Sequence, residues 1–193
     1  MTEVQIATID RERQRLRELV NSCVQTGKIV LSSGKETDFY FDGRTVSLTP
    51  EGSYLIARVA LAEIAGRQLD AVGGPTSGAD PMVSSIGVVA FQQKVELGLF
   101  YVRKDAKAHG MCKRIEGPEL AEGARVFLVD DVLTSGGSLL RALQAVREDT
   151  PAKVIGALVL VDREEGGREA LEAEGIEVVS LFKRSDFSIL TNS

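Results

Sequence analysis

The chain has 193 residues, of which 44% are hydrophobic and 26% charged, the balance of an ordinary folded domain. The net charge of −5 argues against a general nucleic-acid-binding protein. No apolar run approaches the ~20 residues of a membrane span, which argues against a membrane protein. One histidine, His109, and two cysteines in unlike contexts exclude histidine-rich and four-cysteine metal sites and favour a cytoplasmic protein with reduced thiols.

The N-terminal quarter predicts one helix followed by short apolar segments. Apolar residues recur at helical spacing from Asp10 to Val24, and Gly27 is placed to end that helix. A short apolar segment at 29–31, a turn at 32–35 and the aromatic run Phe39-Tyr40-Phe41 follow. Thr49 and Pro50 then predict the N-cap and first position of a second helix.

From residue 71 onward, short apolar segments alternate with amphipathic helices. The apolar pair at 71–72 leads into a glycine-rich segment at 73–78. Strands are predicted at 97–102, 126–129, 154–161 and 176–181, and helices at 81–89, 138–147 and 168–174. This alternation predicts an α/β fold with a parallel sheet covered by helices on both faces. We expect one domain over residues 1–193.

The segment 126–138 carries the strongest chemical signal. Four apolar residues precede the carboxylates Asp130 and Asp131, and a small, hydroxyl-rich turn, 134–138, then opens a helix. Small residues and free N–H groups at a helix N-terminus form an anion site, and the carboxylates suit sugar hydroxyls or a cation. The pattern predicts a ligand with both a ribose and a phosphate. The alternative is a capped turn with a solvated Asp pair.

The segment 101–114 is strongly cationic. It holds five Lys/Arg and one acidic residue, a net charge of +4, so the rest of the chain carries −9. Such a local positive field fits a polyanion such as pyrophosphate, and its alanines and glycine suit a mobile lid. The alternative is a solvated loop. Arg163, just after a predicted strand, is either a carboxylate clamp or one half of a surface ion pair with Asp162 or Glu165.

These segments resemble a known family. Residues 129–138, Val-Asp-Asp-Val-Leu-Thr-Ser-Gly-Gly-Ser, are similar to the phosphoribosyl diphosphate (PRPP) motif of type I phosphoribosyltransferases. Residues 100–110, with Lys113 and Arg114, resemble the mobile loop of orotate phosphoribosyltransferases. The aromatic stretch 39–44 and the Asp162-Arg163 pair agree with the same family in the same order, so the resemblance covers nearly the whole chain.

The resemblance implies Mg²⁺-dependent transfer of 5-phosphoribosyl from PRPP to orotate, giving orotidine 5′-phosphate and pyrophosphate, in de novo pyrimidine (UMP) biosynthesis. It implies a type I phosphoribosyltransferase fold with a small N-terminal hood at about 1–48 and an α/β core at about 49–193. Few or no direct protein ligands are expected for Mg²⁺, which binds mainly through PRPP and water.

The resemblance also assigns residues. The catalytic set it implies is Lys107, His109, Asp130 and Asp131. The PRPP contacts it implies are Arg103, Lys104, Lys107, His109, Asp130, Asp131, Val132, Leu133, Thr134, Ser135, Gly136, Gly137 and Ser138. Those to orotate are Thr134, Arg163, Tyr40 and Phe41.

A homodimer is implied, with the loop 103–114 reaching the neighbouring active site. The chain departs from some members of the family, which carry lysines where it has Ser32 and Ser77, and backbone amides around Thr76–Gly78 are the expected substitutes.

Three other functions compete with this interpretation. A purine phosphoribosyltransferase lacks the Arg-Lys-x-x-Lys-x-His pattern of residues 103–109. A PRPP-sensing regulator that binds nucleic acid is expected to show a basic face or an added module, which the charge and length disfavour. A plain nucleotide-binding module leaves the cationic segment without a role.

Overall fold

The computed structural model of the chain describes residues 3–30, 34, 36–104 and 114–187. In chain order the elements are α1 Glu3–Cys23, β1 Gln25–Val30, β2 Glu36–Tyr40, α2 Arg44–Ser47, α3 Pro50–Ile64, β3 Ala71–Pro75, α4 Asp80–Gln92, β4 Gly98–Val102, β5 Ile115–Glu116, β6 Arg125–Leu133, α5 Gly137–Asp149, β7 Lys153–Asp162, α6 Gly167–Glu172, β8 Glu177–Lys183 and a 3₁₀ turn, Arg184–Asp186.

The central sheet has six strands in the order β5-β4-β3-β6-β7-β8. All neighbouring strands in it are parallel except β5, which runs antiparallel to β4. Successive side chains of β6 point to opposite faces. Phe127 and Val129 pack with α1, α3 and α4, whereas Val126 and Leu128 pack with α5 and α6. The predicted α/β fold, with a mostly parallel sheet between two helical layers, is confirmed.

The N-terminal segment differs from its prediction. The first helix, α1, begins at Glu3 and ends at Cys23, and Gly27 does not end it. Gly27 lies instead in β1 with a φ of 104°, where the pairing of β1 with β2 shifts register. The antiparallel pairing of β1 with β2 supplies the backbone hydrogen bonds of this segment. The paired residues are 6 to 15 positions apart in sequence, from Val30 with Glu36 to Gln25 with Tyr40, so the residues next to Gly27 do not indicate the strand.

Other elements match more closely. Thr49 caps α3 as predicted, with its hydroxyl oxygen accepting a hydrogen bond from the Gly52 N–H at 3.0 Å. The strand β6 runs four residues beyond the predicted end at Val129, because its ladder with β7 continues to Leu133.

Among the described helices, none is long and apolar enough to cross a membrane. The division into hood and core stays a prediction.

Candidate active site

Five parallel strands end at one edge of the sheet: β3 at Pro75, β4 at Val102, β6 at Leu133, β7 at Asp162 and β8 at Lys183. The residues singled out in the second half of the sequence lie at the ends of these strands or in the segments that follow them. Ligands of open α/β sheets bind at this carboxyl edge. The edge is therefore the candidate active site.

Asp130 and Asp131 lie near the carboxyl end of β6, where Asp130 is buried and Asp131 is half-buried. Asp130 is 7% exposed, and its Oδ1 accepts a hydrogen bond from the Asp131 N–H at 3.0 Å. Burial, with the neighbouring charge of Asp131, raises the pKa of Asp130 to about 8. Burial also raises the pKa of Asp131 above its usual range. Hydroxyl donors or a cation would stabilise the charged pair.

Two glycines let the backbone come close to this pair. A Cβ at Gly78 would lie 2.7 Å from an oxygen of each carboxylate, and one at Gly43 would lie 2.5 Å from the Asp131 Cβ. A cavity of about 260 Å³ opens here. It is lined by Tyr40, Phe41, Asp42, Gly43, Arg44, Ser77, Gly78, Asp131 and Val132. The structure thus brings Tyr40, Phe41 and Val132 together with Asp131, as expected for residues of one site.

The turn after β6 has the geometry of an anion site. Gly136 precedes α5 in the left-handed conformation, with a φ of 80°, which a residue with a Cβ rarely adopts. The first N–H groups of α5 have no partner within the helix, and Ser135 and Ser138 are exposed beside them. Leu133 differs, because its side chain is 1% exposed and packs in the core. Leu133 can therefore contact a ligand only through its backbone.

A second cavity, of about 440 Å³, lies beside this turn. Its lining residues are Pro75, Thr76, Val102, Arg103, Lys104, Arg114, Ser138, Arg141, Ala142, Gln144 and Ala145. The Arg103 N–H donates to the Arg114 carbonyl at 2.8 Å, which joins the two ends of the cationic segment. The predicted diphosphate contacts Arg103 and Lys104 thus lie with Ser138. Lys107 and His109 lie outside the described residues.

Arg163 is buried rather than on the surface. Its Nη2 lies 2.7 Å from a carboxylate oxygen of Glu165 in an ion pair, and it donates hydrogen bonds to the Phe39 carbonyl at 3.1 Å and to the Thr37 hydroxyl at 3.3 Å. The predicted alternative of an ion pair with Asp162 is wrong, because Asp162 pairs with Arg168 at 3.1 Å. Arg163 therefore connects the end of β7 with β2.

Sequence analysis missed the roles of Asp42, Arg44 and Asp80 in this region. Asp42 and Arg44 form a bidentate ion pair, both bonds 2.9 Å, and the guanidinium holds the pKa of Asp42 below its usual range. Oδ1 of Asp80 is buried without a hydrogen-bond partner among the described residues, and burial raises the pKa of this carboxyl. The sequence feature that could have pointed to Asp80 is its position two residues after Gly78, the glycine that lies against the carboxylates of Asp130 and Asp131.

The carboxylate oxygens of the site fit a magnesium ion whose other ligands come from a bound substrate and water. Mg²⁺ prefers oxygen ligands and keeps several waters, and the carboxylate of Asp131 lines the smaller cavity next to that of Asp130. Within the described part of the chain, no three Asp, Glu, His or Cys side chains are grouped to hold a metal ion. An ion here would depend on oxygens from the ligand.

Comparisons with known proteins agree on one family. A family model described as a phosphoribosyl transferase domain matches residues 54–183. The orotate phosphoribosyltransferase of Streptomyces avermitilis is 44% identical over 82% of this chain and 86% of that protein. The orotate phosphoribosyltransferase of Mycobacterium tuberculosis, solved with Fe(III) dicitrate, is 39% identical, with a TM-score of 0.79 over 92% of this chain and 99% of that one. The same enzyme in complex with PRPP is 35% identical, with a TM-score of 0.75 over 91% and 98% of the two chains.

Proposed function

Because the chain belongs to the orotate phosphoribosyltransferase family, we propose that it transfers the 5-phosphoribosyl group of PRPP to N1 of orotate. The products are orotidine 5′-phosphate and pyrophosphate, in the de novo synthesis of pyrimidine nucleotides in the cytoplasm. The observation that carries the proposal is the carboxylate pair of buried Asp130 and half-buried Asp131 beside the glycine turn 134–138. A carboxylate pair suits ribose hydroxyls, and a helix N-terminus suits a phosphate.

The proposed roles follow the charge that develops in the reaction. Breaking the anomeric C–O bond builds positive charge on the ribose and negative charge on the departing pyrophosphate. Asp130 and Asp131 accept hydrogen bonds from the ribose 2′- and 3′-hydroxyls, which fixes the sugar beneath its leaving group. The backbone N–H groups and hydroxyls of residues 134–138 hold the 5′-phosphate.

The leaving group is proposed to meet the cationic segment. Arg103 and Lys104, which line the larger cavity, receive the diphosphate together with Lys107 and His109. When bound, Mg²⁺ neutralises part of the charge on the diphosphate oxygens. The proposed role of His109 is to contact the diphosphate or to give it a proton.

The base is proposed to bind between the hood and the end of β7. Arg163 pairs with the carboxylate or carbonyl edge of orotate, and Tyr40, Phe41 and Thr134 frame the ring. Tyr40 and Phe41 line the cavity beside Asp131, so a base there lies close to the ribose that Asp131 holds. This closeness brings N1 of the base to the anomeric carbon.

An assay of substrate choice tests the proposal directly. We expect loss of orotate absorbance when the protein is mixed with orotate, PRPP and Mg²⁺, and no turnover of adenine, hypoxanthine or uracil under the same conditions. The measurement is the initial rate with each base at equal protein concentration. Turnover of a purine without turnover of orotate would overturn the assignment.

We also propose a homodimer, based on an exposed apolar face formed by α3, α4 and Leu48, which follows α2. The apolar face consists of Leu48, Tyr54, Val88 and Phe91, whose exposed fractions are 69%, 47%, 61% and 83%. A groove of about 500 Å³ runs along it between the two helices. Exposed apolar patches of this kind mark protein interfaces, and a twofold dimer would cover the face of each subunit with that of the other.

Phe91→Glu is expected to convert the dimer to a monomer, because it places a charge on the proposed interface at the most exposed residue of the apolar face. The measurement is the molar mass by light scattering. Val4→Glu is the matched control, since Val4 is 75% exposed on α1, outside the apolar face. A wild-type monomer, or a Phe91→Glu variant that stays dimeric, contradicts this interface.

A further inference from the structure

The Arg163 guanidinium is already bound to a carboxylate of its own chain. The side chains of Arg163 and Glu165 are 10% and 30% exposed, and their ion pair is 2.7 Å long. The pair therefore lies at a boundary, with the arginine inside and the glutamate toward solvent. A buried guanidinium without a counter-charge is costly, so Glu165 stabilises Arg163 while no substrate is bound.

The turn that carries Glu165 is held firmly in place. The Glu164 N–H donates to Asp162 Oδ1 at 2.9 Å, and Arg168 fixes the other oxygen of that carboxylate at 3.1 Å. The Glu164 carboxylate accepts hydrogen bonds from the N–H and the hydroxyl of Ser185. The carboxylate of Glu164 thus binds Ser185, whereas the carboxylate of Glu165 binds Arg163.

The guanidinium keeps its other anchors if Glu165 leaves. The Phe39 carbonyl and the Thr37 hydroxyl accept from the same Nη2, and both belong to β2. Nε of Arg163 is buried without a hydrogen-bond partner among the described residues, so the guanidinium is not saturated. An incoming carboxylate could therefore take the place of Glu165 without moving Arg163.

We propose that Glu165 is a specificity-determining residue, whose carboxylate competes with the carboxylate of the pyrimidine substrate for Arg163. The inference rests on the proposed function, and within it on the alternative in which Arg163 binds the carboxylate of orotate. An anionic base exchanges one carboxylate for another on the guanidinium. A neutral pyrimidine cannot make this exchange, so the internal pair opposes its binding.

Glu165→Gln is the direct test, because it removes the competing charge at nearly constant size. We expect the KM for orotate to fall roughly two- to fivefold, the range that partly exposed ion pairs span, with kcat and the KM for PRPP unchanged. Glu165→Ala should lower the KM for orotate in the same direction. If Glu165 only positions Arg163, both variants raise this KM.

Glu164→Gln is the matched control, since it makes the same change of charge one residue away, on a carboxylate that binds Ser185. Its KM for orotate should stay at the wild-type value. An equal decrease in this control would indicate a general field effect and overturn the inference. A wild-type protein that does not turn over orotate contradicts the proposed function, whereas normal turnover with an unchanged KM in Glu165→Gln contradicts only the role of Glu165.

Discussion

Replacing Asp130 by asparagine is expected to lower kcat/KM for PRPP by about 10²-fold and at the same time to stabilise the fold at pH 7. A hydrogen bond to a charged group contributes about 1.5–3 kcal/mol, so loss of the carboxylate, whose charged form the bound ribose hydroxyls stabilise, costs one to two orders of magnitude. Asparagine keeps the shape and can still accept from the Asp131 N–H. The kinetic measurement is the initial rate against PRPP concentration at saturating orotate.

The gain in stability follows from the sign of the pKa shift. Burial raises the pKa of Asp130 from 3.8 to about 8, so between these values the folded chain keeps a proton that the unfolded chain releases. The free energy of unfolding therefore falls as the pH rises through this window. Asparagine does not ionise, so Asp130→Asn removes this loss of stability. The variant should therefore have a higher unfolding midpoint than the wild type at pH 7, and the difference should shrink toward pH 4.

Asp149→Asn is the control with the opposite sign. Arg114 holds the pKa of Asp149 below its usual range, so this carboxylate contributes stability above its unfolded pKa and loses it as the pH falls. Asparagine at position 149 should therefore lower the unfolding midpoint at pH 7. A destabilised Asp130→Asn variant, or one with wild-type kcat/KM, is incompatible with a buried carboxylate that serves the substrate.

Much of the fold could be predicted from local patterns, because each central strand is a continuous apolar run between helices. The site loop could be predicted for a similar reason: Asp130, Asp131 and the turn 134–138 are contiguous, so their chemistry is visible in ten residues. The capping of α3 by Thr49 likewise depends only on neighbours in sequence.

The parts that could not be predicted depend on partners distant in the chain. The strand β1 exists because it pairs with β2, and Gly27 looks like a helix end until that pairing is known. The neighbours of Arg163 show the same limit. Glu165 was one of two possible partners, and contacts with Thr37 and Phe39, more than a hundred residues earlier, carry no mark in the sequence.

Lys107→Ala is expected to lower kcat by about 10²-fold or more at saturating PRPP and orotate. The proposed role of Lys107 is to balance negative charge that grows on pyrophosphate only as the bond breaks, and loss of one such partner typically costs 10²–10³-fold. Lys153→Ala is the matched control, because Lys153 is exposed at the start of β7, at the opposite edge of the sheet. An unchanged kcat in Lys107→Ala would remove the leaving-group role.

Mixing Lys107→Ala with Asp130→Asn subunits tests at the same time whether the loop 103–114 reaches the neighbouring active site. In a mixed dimer, the Lys107→Ala subunit keeps Asp130 and receives an intact Lys107 from its partner. Random exchange makes half of the dimers mixed, each with one complete site, so activity should recover to about a quarter of the wild-type value. Each subunit would instead stay inactive in every combination if the loop closed over its own site. Recovery on mixing therefore requires both the dimer and the crossing loop.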